Sequence, residues 1–384
     1  MPLRRMLEIG AMLVAGSILA AMLLRVAGAH NMTLSSGQPV FGDFIAFWSA
    51  GRAALDGHAE QVHDRALIFS YHKLASPDVR FVAPWNSPPT FLLPMAGFAL
   101  LPYRLAALLF LTLSGALYLY AARKLLPDAR ALIFAVTLPA AFFHIGTVQV
   151  GLLVAGVSAL ALHWLDRRPR AAGALVAVLA IKPHLAVLWP IFLALSGRWR
   201  AFAAAAFATF AFVLLAGAVF GFDAYARFFE NLLSSQELIS GQRITTPAYA
   251  SLYANLLDLG VAQQIATLLH AISALSAVGV AAWVFLRAER APAGAALCAA
   301  TLLVSPYLFF YDFTLLAAGA ALLGAPRDRF DLAALIFAWG AALSLPLGYF
   351  APLPLCPVAA WLVLINAMRR AGIAAPRPAP ALQP

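Results

Sequence analysis

The residues in this chain best suited to chemistry are few, and each sits where hydrophobic sequence is interrupted. The first is Asp43, in Gly42-Asp43-Phe44-Ile45-Ala46-Phe47-Trp48-Ser49-Ala50-Gly51-Arg52. A carboxylate there can accept a proton from any hydroxyl held within hydrogen-bond reach. Asp is equally a residue type that caps helices, and a helix N-terminus would keep it ionised. The second is Lys182, in Leu179-Ala180-Ile181-Lys182-Pro183-His184-Leu185. An ionisable side chain within an apolar run is costly and marks function, unless it snorkels to the interface. A cation at that point suits a phosphate leaving group. His184, next to it, reads as a polar residue beside a helix break or as a ligand. Gln149, in His144-Ile145-Gly146-Thr147-Val148-Gln149, is a turn residue or a sugar ligand, and His144 is similar. Asp312 closes Ser305-Pro306-Tyr307-Leu308-Phe309-Phe310-Tyr311-Asp312. Beside a reactive role for it stands a structural one, an ion pair with Arg52, Arg80 or Arg243.

The elements that must hold these residues are hydrophobic. Of 384 residues, 63% are hydrophobic and only 11% charged, and the mean hydropathy is +0.85. Soluble proteins carry about 25% charged residues, so the expected fold is an all-α polytopic membrane protein. A first span over about 7–28 follows Arg4 and Arg5 and is long enough to cross a bilayer core of ~30 Å. Arg25 near the end of the span favours a retained anchor over a signal peptide. A polar interval, 29–87, comes next. Within it a helix from Asp43 through Leu55, stopping at Gly57, would gather Phe44, Phe47, Trp48 and Leu55 on one apolar face. A second helix is expected over 59–74. Both read as lying in the membrane interface. Further spans are expected near 89–122, 130–146, 149–165, 170–196, 200–221, 263–286, 292–323, 330–348 and 353–369, with breaks at Pro102, Pro183 and Pro306. About ten to twelve crossings result, forming one domain over 1–373, with a second polar interval at 222–262 and a disordered cytoplasmic tail at 374–384.

The charges give the spans a direction. The net charge of +10 is spread in small clusters at Arg4/Arg5, Arg123/Lys124/Arg130, Arg167/Arg168/Arg170, Arg198/Arg200, Arg287/Arg290, Arg327/Arg329 and Arg369/Arg370. They fall at alternate span boundaries, which puts them on one face, cytoplasmic by the positive-inside rule. This distribution argues against a nucleic-acid partner. Asp43, Gln149, Lys182 and Asp312 then share the opposite face. Cys298 and Cys356 form no CxxC pattern. No HExxH, GxxxxGK[ST] or strand-linked GxGxxG occurs, so neither a metal nor another cofactor is expected.

Taken in order, Asp43–Arg52, Ser87-Pro88-Pro89-Thr90-Phe91-Leu92-Leu93-Pro94, Ile181-Lys182-Pro183-His184, Gly197-Arg198-Trp199-Arg200, Ser305-Pro306-Tyr307 and Tyr311-Asp312 resemble glycosyltransferase family 87. The resemblance implies a GT-C helical bundle whose long first external loop carries the acidic catalytic residue, here Asp43. It implies a polyprenyl-phosphate sugar donor, with mannose foremost, a lipid or glycan acceptor, and a site on the periplasmic or extracellular face of the plasma membrane. Arg52, Gln149, Lys182, His184, Arg243, Tyr307 and Asp312 are the expected substrate ligands. The chain has Gly146-Thr147-Val148-Gln149 where relatives often show a Gly-Gln/His-x-Asn-like motif, and His184 where they often show glutamine. A transporter or lipid flippase using broken helices and a non-catalytic assembly component are the alternatives.

Overall fold

The computed structural model describes residues 3–126, 128–241, 249–348 and 353–373. Among these residues regular structure is helical, with only isolated bridges such as Tyr249 with Phe309. The N-terminal half comprises α1 (Leu3–Ala27), α2 (Phe44–Leu55), α3 (Arg65–Ala75), α4 (Pro89–Ala99), α5 (Tyr103–Leu125), α6 (Leu132–Val136), α7 (Pro139–Thr147), α8 (Gly151–Trp164), α9 (Pro169–Val178) and α10 (Trp189–Leu195). It continues with α11 (Trp199–Phe220), α12 (Asp223–Gly241), α13 (Leu252–Asp258), α14 (Gln263–Arg287), α15 (Arg290–Val304), α16 (Thr314–Leu323), α17 (Arg329–Gly340), α18 (Ser344–Gly348) and α19 (Leu355–Ile373).

The three proline breaks are where the sequence places them. Pro102 separates α4 from α5. Around Lys182-Pro183 the chain leaves α9 through two short 3-10 turns, Leu179–Ile181 and Pro183–Leu185, and Pro306 precedes another at Phe310–Phe313. Proline removes a backbone donor and restricts the residue before it, so these helices stop instead of bending through. Five helical stretches are by themselves long and apolar enough to cross a membrane: Leu3–Ala27, Tyr103–Leu125, Trp199–Phe220, Gln263–Arg287 and Arg329–Gly348. The other apolar helices are shorter and abut across the breaks, so a count of ten to twelve crossings requires paired pieces. The interval 222–262 is itself helical in α12 and α13, and the tail at 374–384 lies outside the described residues.

The basic clusters gather at one end. Arg4 meets Asp128 at 2.9 Å, joining the start of α1 to the end of α5. Arg290 donates to the His163 carbonyl at 3.0 Å. Asp166 receives Arg198 at 2.8 Å and Arg290 at 3.5 Å. Glu289, Arg327 and Arg370 surround one small cleft, and Arg370 pairs with the buried Asp331 at 2.6 Å.

The first loop departs from the expected surface helix. α2 is buried almost all round, with Phe44 at 0%, Phe47 at 7% and Trp48 at 8% exposure. The reason lies on its other faces, which carry Ser49, Ala50, Gly51, Ala53 and Ala54, all small enough for neighbours to close over. A Cβ on Gly51 would stand 2.3 Å from the Met95 carbonyl oxygen, so α2 and α4 touch backbone to backbone. Trp48 Nε1 donates to the Leu101 carbonyl at 2.9 Å, and Phe47 packs edge-on against Phe91 at 4.9 Å. A helix apolar on all sides belongs in a core. α3 starts at Asp64, whose side chain accepts from the Ala66 and Leu67 amides. Its buried His72 ties α2 to the strand-like segment after it, meeting Ser49 Oγ at 2.8 Å and the Ala83 carbonyl at 3.1 Å.

Candidate active site

A cavity of about 1980 Å³ opens between the first loop, the breaks at Pro183 and Pro306, and helices α9 to α14. Asp43, Gln149, Lys182, His184 and Tyr307 all line it, so residues spread over the sequence from 43 to 307 converge on one space. A typical small-molecule pocket is about 300–1,000 Å³, and this one is larger. Its polar end holds the five residues just named together with Asn86, Tyr249 and Tyr311. The rest is a mostly apolar trough. Along α11 the lining positions are Phe202, Ala205, Ala206, Thr209, Phe210 and Val213, spaced three and four apart as one helix stripe. Over that stripe the trough runs about 16 Å at 1.5 Å per residue. Phe210 and Leu233 line it while remaining 62% and 67% exposed, so it opens sideways, where lipid would lie.

Asp43 occupies the N-cap position of α2 without capping it, since its side chain bonds none of the helix amides. The carboxylate turns instead to Gln149, whose Nε2 donates to Oδ2 at 2.9 Å. The expected helix-end ionisation is therefore replaced by a different balance. Burial among protein atoms raises the Asp43 pKa above the ordinary carboxylate value, while the Gln149 hydrogen bond and the charge of Lys182 oppose that rise. Asp43 is hemmed in yet reachable through the cavity, the condition of a carboxylate made more basic and still able to meet a substrate.

Lys182 and Asp312 form a pair, Nζ to Oδ1, at 2.5 Å. The Lys182 side chain is 13% exposed and that of Asp312 is 0%. Asp312 also accepts from the Phe309 amide at 3.0 Å, which fixes it at the head of the 3-10 turn. The Tyr311 ring lies under the ammonium, 4.9 Å from ring centre to Nζ. Asp312 thus stands behind Lys182, fully buried, and is not among the residues that line the cavity. The arginines expected to pair with it are elsewhere. Arg52 is exposed, bridges to Asp56 at 3.2 Å, and is absent from the cavity wall. Arg80 is exposed beside Gly37, and Arg243 lies outside the described residues.

His184 and Tyr307 meet edge to face at 6.3 Å, and among the described residues His184 Nε2 has no partner. Sequence reasoning missed the aromatic wall beyond them. Tyr249 stacks on Phe309 at 4.8 Å, and Phe309 on Tyr311 at 5.2 Å. The only signal was the aromatic density of the 305–312 stretch. Asn86, one residue before the Ser87-Pro88-Pro89 motif, accepts from Asn231 at 3.3 Å. His144 is buried behind the cavity, not on its wall. Among the described residues no cluster of three His, Cys, Asp or Glu side chains is placed to hold a metal ion.

A helical membrane fold with a carboxylate and an ammonium at the head of a sideways-opening trough is the architecture of a membrane-embedded transferase. The chain belongs to glycosyltransferase family 87, whose sequence description it matches over residues 85–306, more than half its length. No curated protein and no solved structure matches the chain. Family membership makes the protein a membrane glycosyltransferase and decides against a transporter. The matched stretch contains Gln149, Lys182 and His184; Asp43 precedes it, and Tyr307 and Asp312 follow it.

Proposed function

We propose that this glycosyltransferase moves a hexose, mannose foremost, from a polyprenyl-phosphate sugar to a hydroxyl of a lipid or glycan acceptor, with inversion at the sugar C1. The observation that carries this reading is the cavity itself, in which a carboxylate and an ammonium stand at the polar head of a trough that opens toward lipid. A prenyl chain fills an apolar, laterally open channel, and its phosphate then lies at the polar end near Lys182. The acceptor oxygen attacks C1 as the bond from C1 to the phosphate oxygen breaks. Asp43 takes the hydroxyl proton, and the polyprenyl phosphate leaves with its charge stabilised by Lys182. The chemistry parallels the base half of an inverting glycosidase with an alcohol in place of water. Burial of Asp43 supports the role, because a raised pKa makes a better base near neutral pH.

The basic clusters, gathered at one end of the helices, support a plasma-membrane orientation with the site facing outward under the positive-inside rule. The decisive experiment is transfer of radiolabelled sugar from polyprenyl-phosphate mannose in membranes carrying Asp43→Asn. Removing a general base costs about 10²–10⁴ in rate, so transfer should fall by at least a hundredfold while the protein accumulates normally. Full activity would overturn the assignment.

A further inference from the structure

The segment that faces Asp43 is shaped for one purpose that substrate binding does not explain. Val148, at the end of α7, has φ +48° and ψ +52°, the left-handed region. It is fully buried. A β-branched residue is an outlier there, and such strain persists only where the surroundings enforce it. Opposite, Gly42 has φ +47°, and a Cβ on it would stand 2.7 Å from the Thr147 Cα and 3.0 Å from the Gly146 carbonyl oxygen. The two backbones therefore touch one residue before Asp43 on one strand and two before Gln149 on the other. The turn at Val148 then aims the Gln149 amide at the carboxylate.

We propose that Gln149 is the positioning residue of the Asp43 carboxylate, holding Oδ2 so that Oδ1 is the atom that receives the acceptor's proton. The proposal rests on Asp43 acting as the base. Both ends of the Gln149 amide are engaged within the protein. Nε2 donates to Asp43 at 2.9 Å, and Oε1 accepts from the Val150 amide at 3.4 Å. That assignment is the one in which the carboxylate meets a donor, whereas the flipped amide would set oxygen against oxygen. Among the described residues Asp43 Oδ1 takes no hydrogen bond. Gln149 is thereby used up as a sugar ligand and acts through Asp43. The other titratable groups facing this carboxylate are Lys182, Tyr103, Tyr249, Tyr307 and Tyr311. The phenols stay neutral near pH 7, and Lys182 is held by Asp312, so the amide is the group that fixes the direction of the carboxylate.

A measurement without substrate tests this. Hydrophobic carbodiimides modify protonated carboxyl groups, so the pH at which labelling of Asp43 is half-maximal, read by mass spectrometry of the detergent-purified protein, reports its protonation. Gln149→Leu keeps the side-chain bulk and removes the donor. Loss of one hydrogen bond to the charged form should raise the midpoint by about one pH unit. Gln149→Glu sets two carboxylates side by side and should raise it further. Val148→Gly frees the turn and should shift the midpoint in the same direction, by less. A midpoint unmoved in Gln149→Leu, in protein of normal melting temperature, overturns the proposal. The base assignment fails separately: an active Asp43→Asn protein would refute it and leave the labelling midpoints as they are.

Discussion

The Lys182–Asp312 pair makes a prediction that differs for its two members. Asp312 has no exposed side-chain surface, whereas Lys182 keeps 13% and faces the cavity. In Lys182→Met the carboxylate stays buried with, among the described residues, only the Phe309 amide to satisfy it. Breaking a buried pair in this way costs about 3–5 kcal/mol. In Asp312→Leu the ammonium can swing into the cavity and keeps the Tyr311 ring, a contact worth up to about 2 kcal/mol. The loss should therefore be nearer 2 kcal/mol. Lys182→Met combined with Asp312→Leu removes both charges and fills their volume, and such replacements are often close to neutral. The coupling between the two positions should thus be about 3 kcal/mol or more. Unfolding in mixed micelles, followed by tryptophan fluorescence, measures all four proteins, and sugar transfer by the same preparations measures function. The double variant should be as stable as the parent to within about 1.5 kcal/mol and inactive, because the cation proposed to meet the donor phosphate is gone. Equal losses in the two single variants, or single losses that simply add, would refute the buried-pair reasoning. A stable and active double variant would refute the role of Lys182 in transfer.

Three other outcomes follow from the geometry. Gly51→Ala places a methyl 2.3 Å from the Met95 carbonyl oxygen; this overpacking should cost about 1–3 kcal/mol and, by displacing α2, should lower transfer, both read on the same preparations. Burial holds His72 neutral and depresses its pKa to about 4, below the unfolded value of about 6.5. Its contribution is whole above pH ~6.5 and is lost as the pH falls toward 4, by roughly 3 kcal/mol in total; melting temperatures at pH 7 and pH 4.5 should therefore diverge less in His72→Phe than in the parent. For topology, a cysteine at Glu60→Cys should react with an impermeant thiol reagent added to intact cells, and one at Arg168→Cys should not. The opposite pattern would invert the orientation.

How much of this was legible depends on the range of the signal. The breaks at Pro102, Pro183 and Pro306 could be read because proline acts on its own neighbours. The common end of the basic clusters could be read because a bilayer forces alternation on the chain. The burial of α2 could not, since Phe44, Phe47 and Trp48 look the same in an interfacial helix and in a core helix. The difference lay in Gly51 and the alanines, whose smallness matters only once α4 is known to cross there. The ion pair of Asp312 was hidden for a similar reason. Its partner is 130 residues away, and nothing local distinguishes Lys182 from Arg52 or Arg80 as the cation it meets. Gln149 was singled out, yet its engagement with Asp43 depends on a strained backbone at Val148 that residue types do not advertise.

The same separation matters while the protein is being made. Lys182 emerges from the ribosome long before Asp312, and at about 5–20 residues per second the ammonium waits some 7–26 s for its counter-ion. Centred in a continuous span, it would spend that time in hydrocarbon at a cost of about 2.5–3.5 kcal/mol or more. The 3-10 turns on either side of Lys182-Pro183 end the helix at that residue, so the charge can remain at the hydrated boundary until the Phe310–Phe313 turn arrives. The break that shapes the cavity in the finished enzyme thus also keeps a half-made chain insertable, and a substitution of Pro183 that extended the helix would be felt first as poor membrane insertion, before any effect on catalysis could be measured.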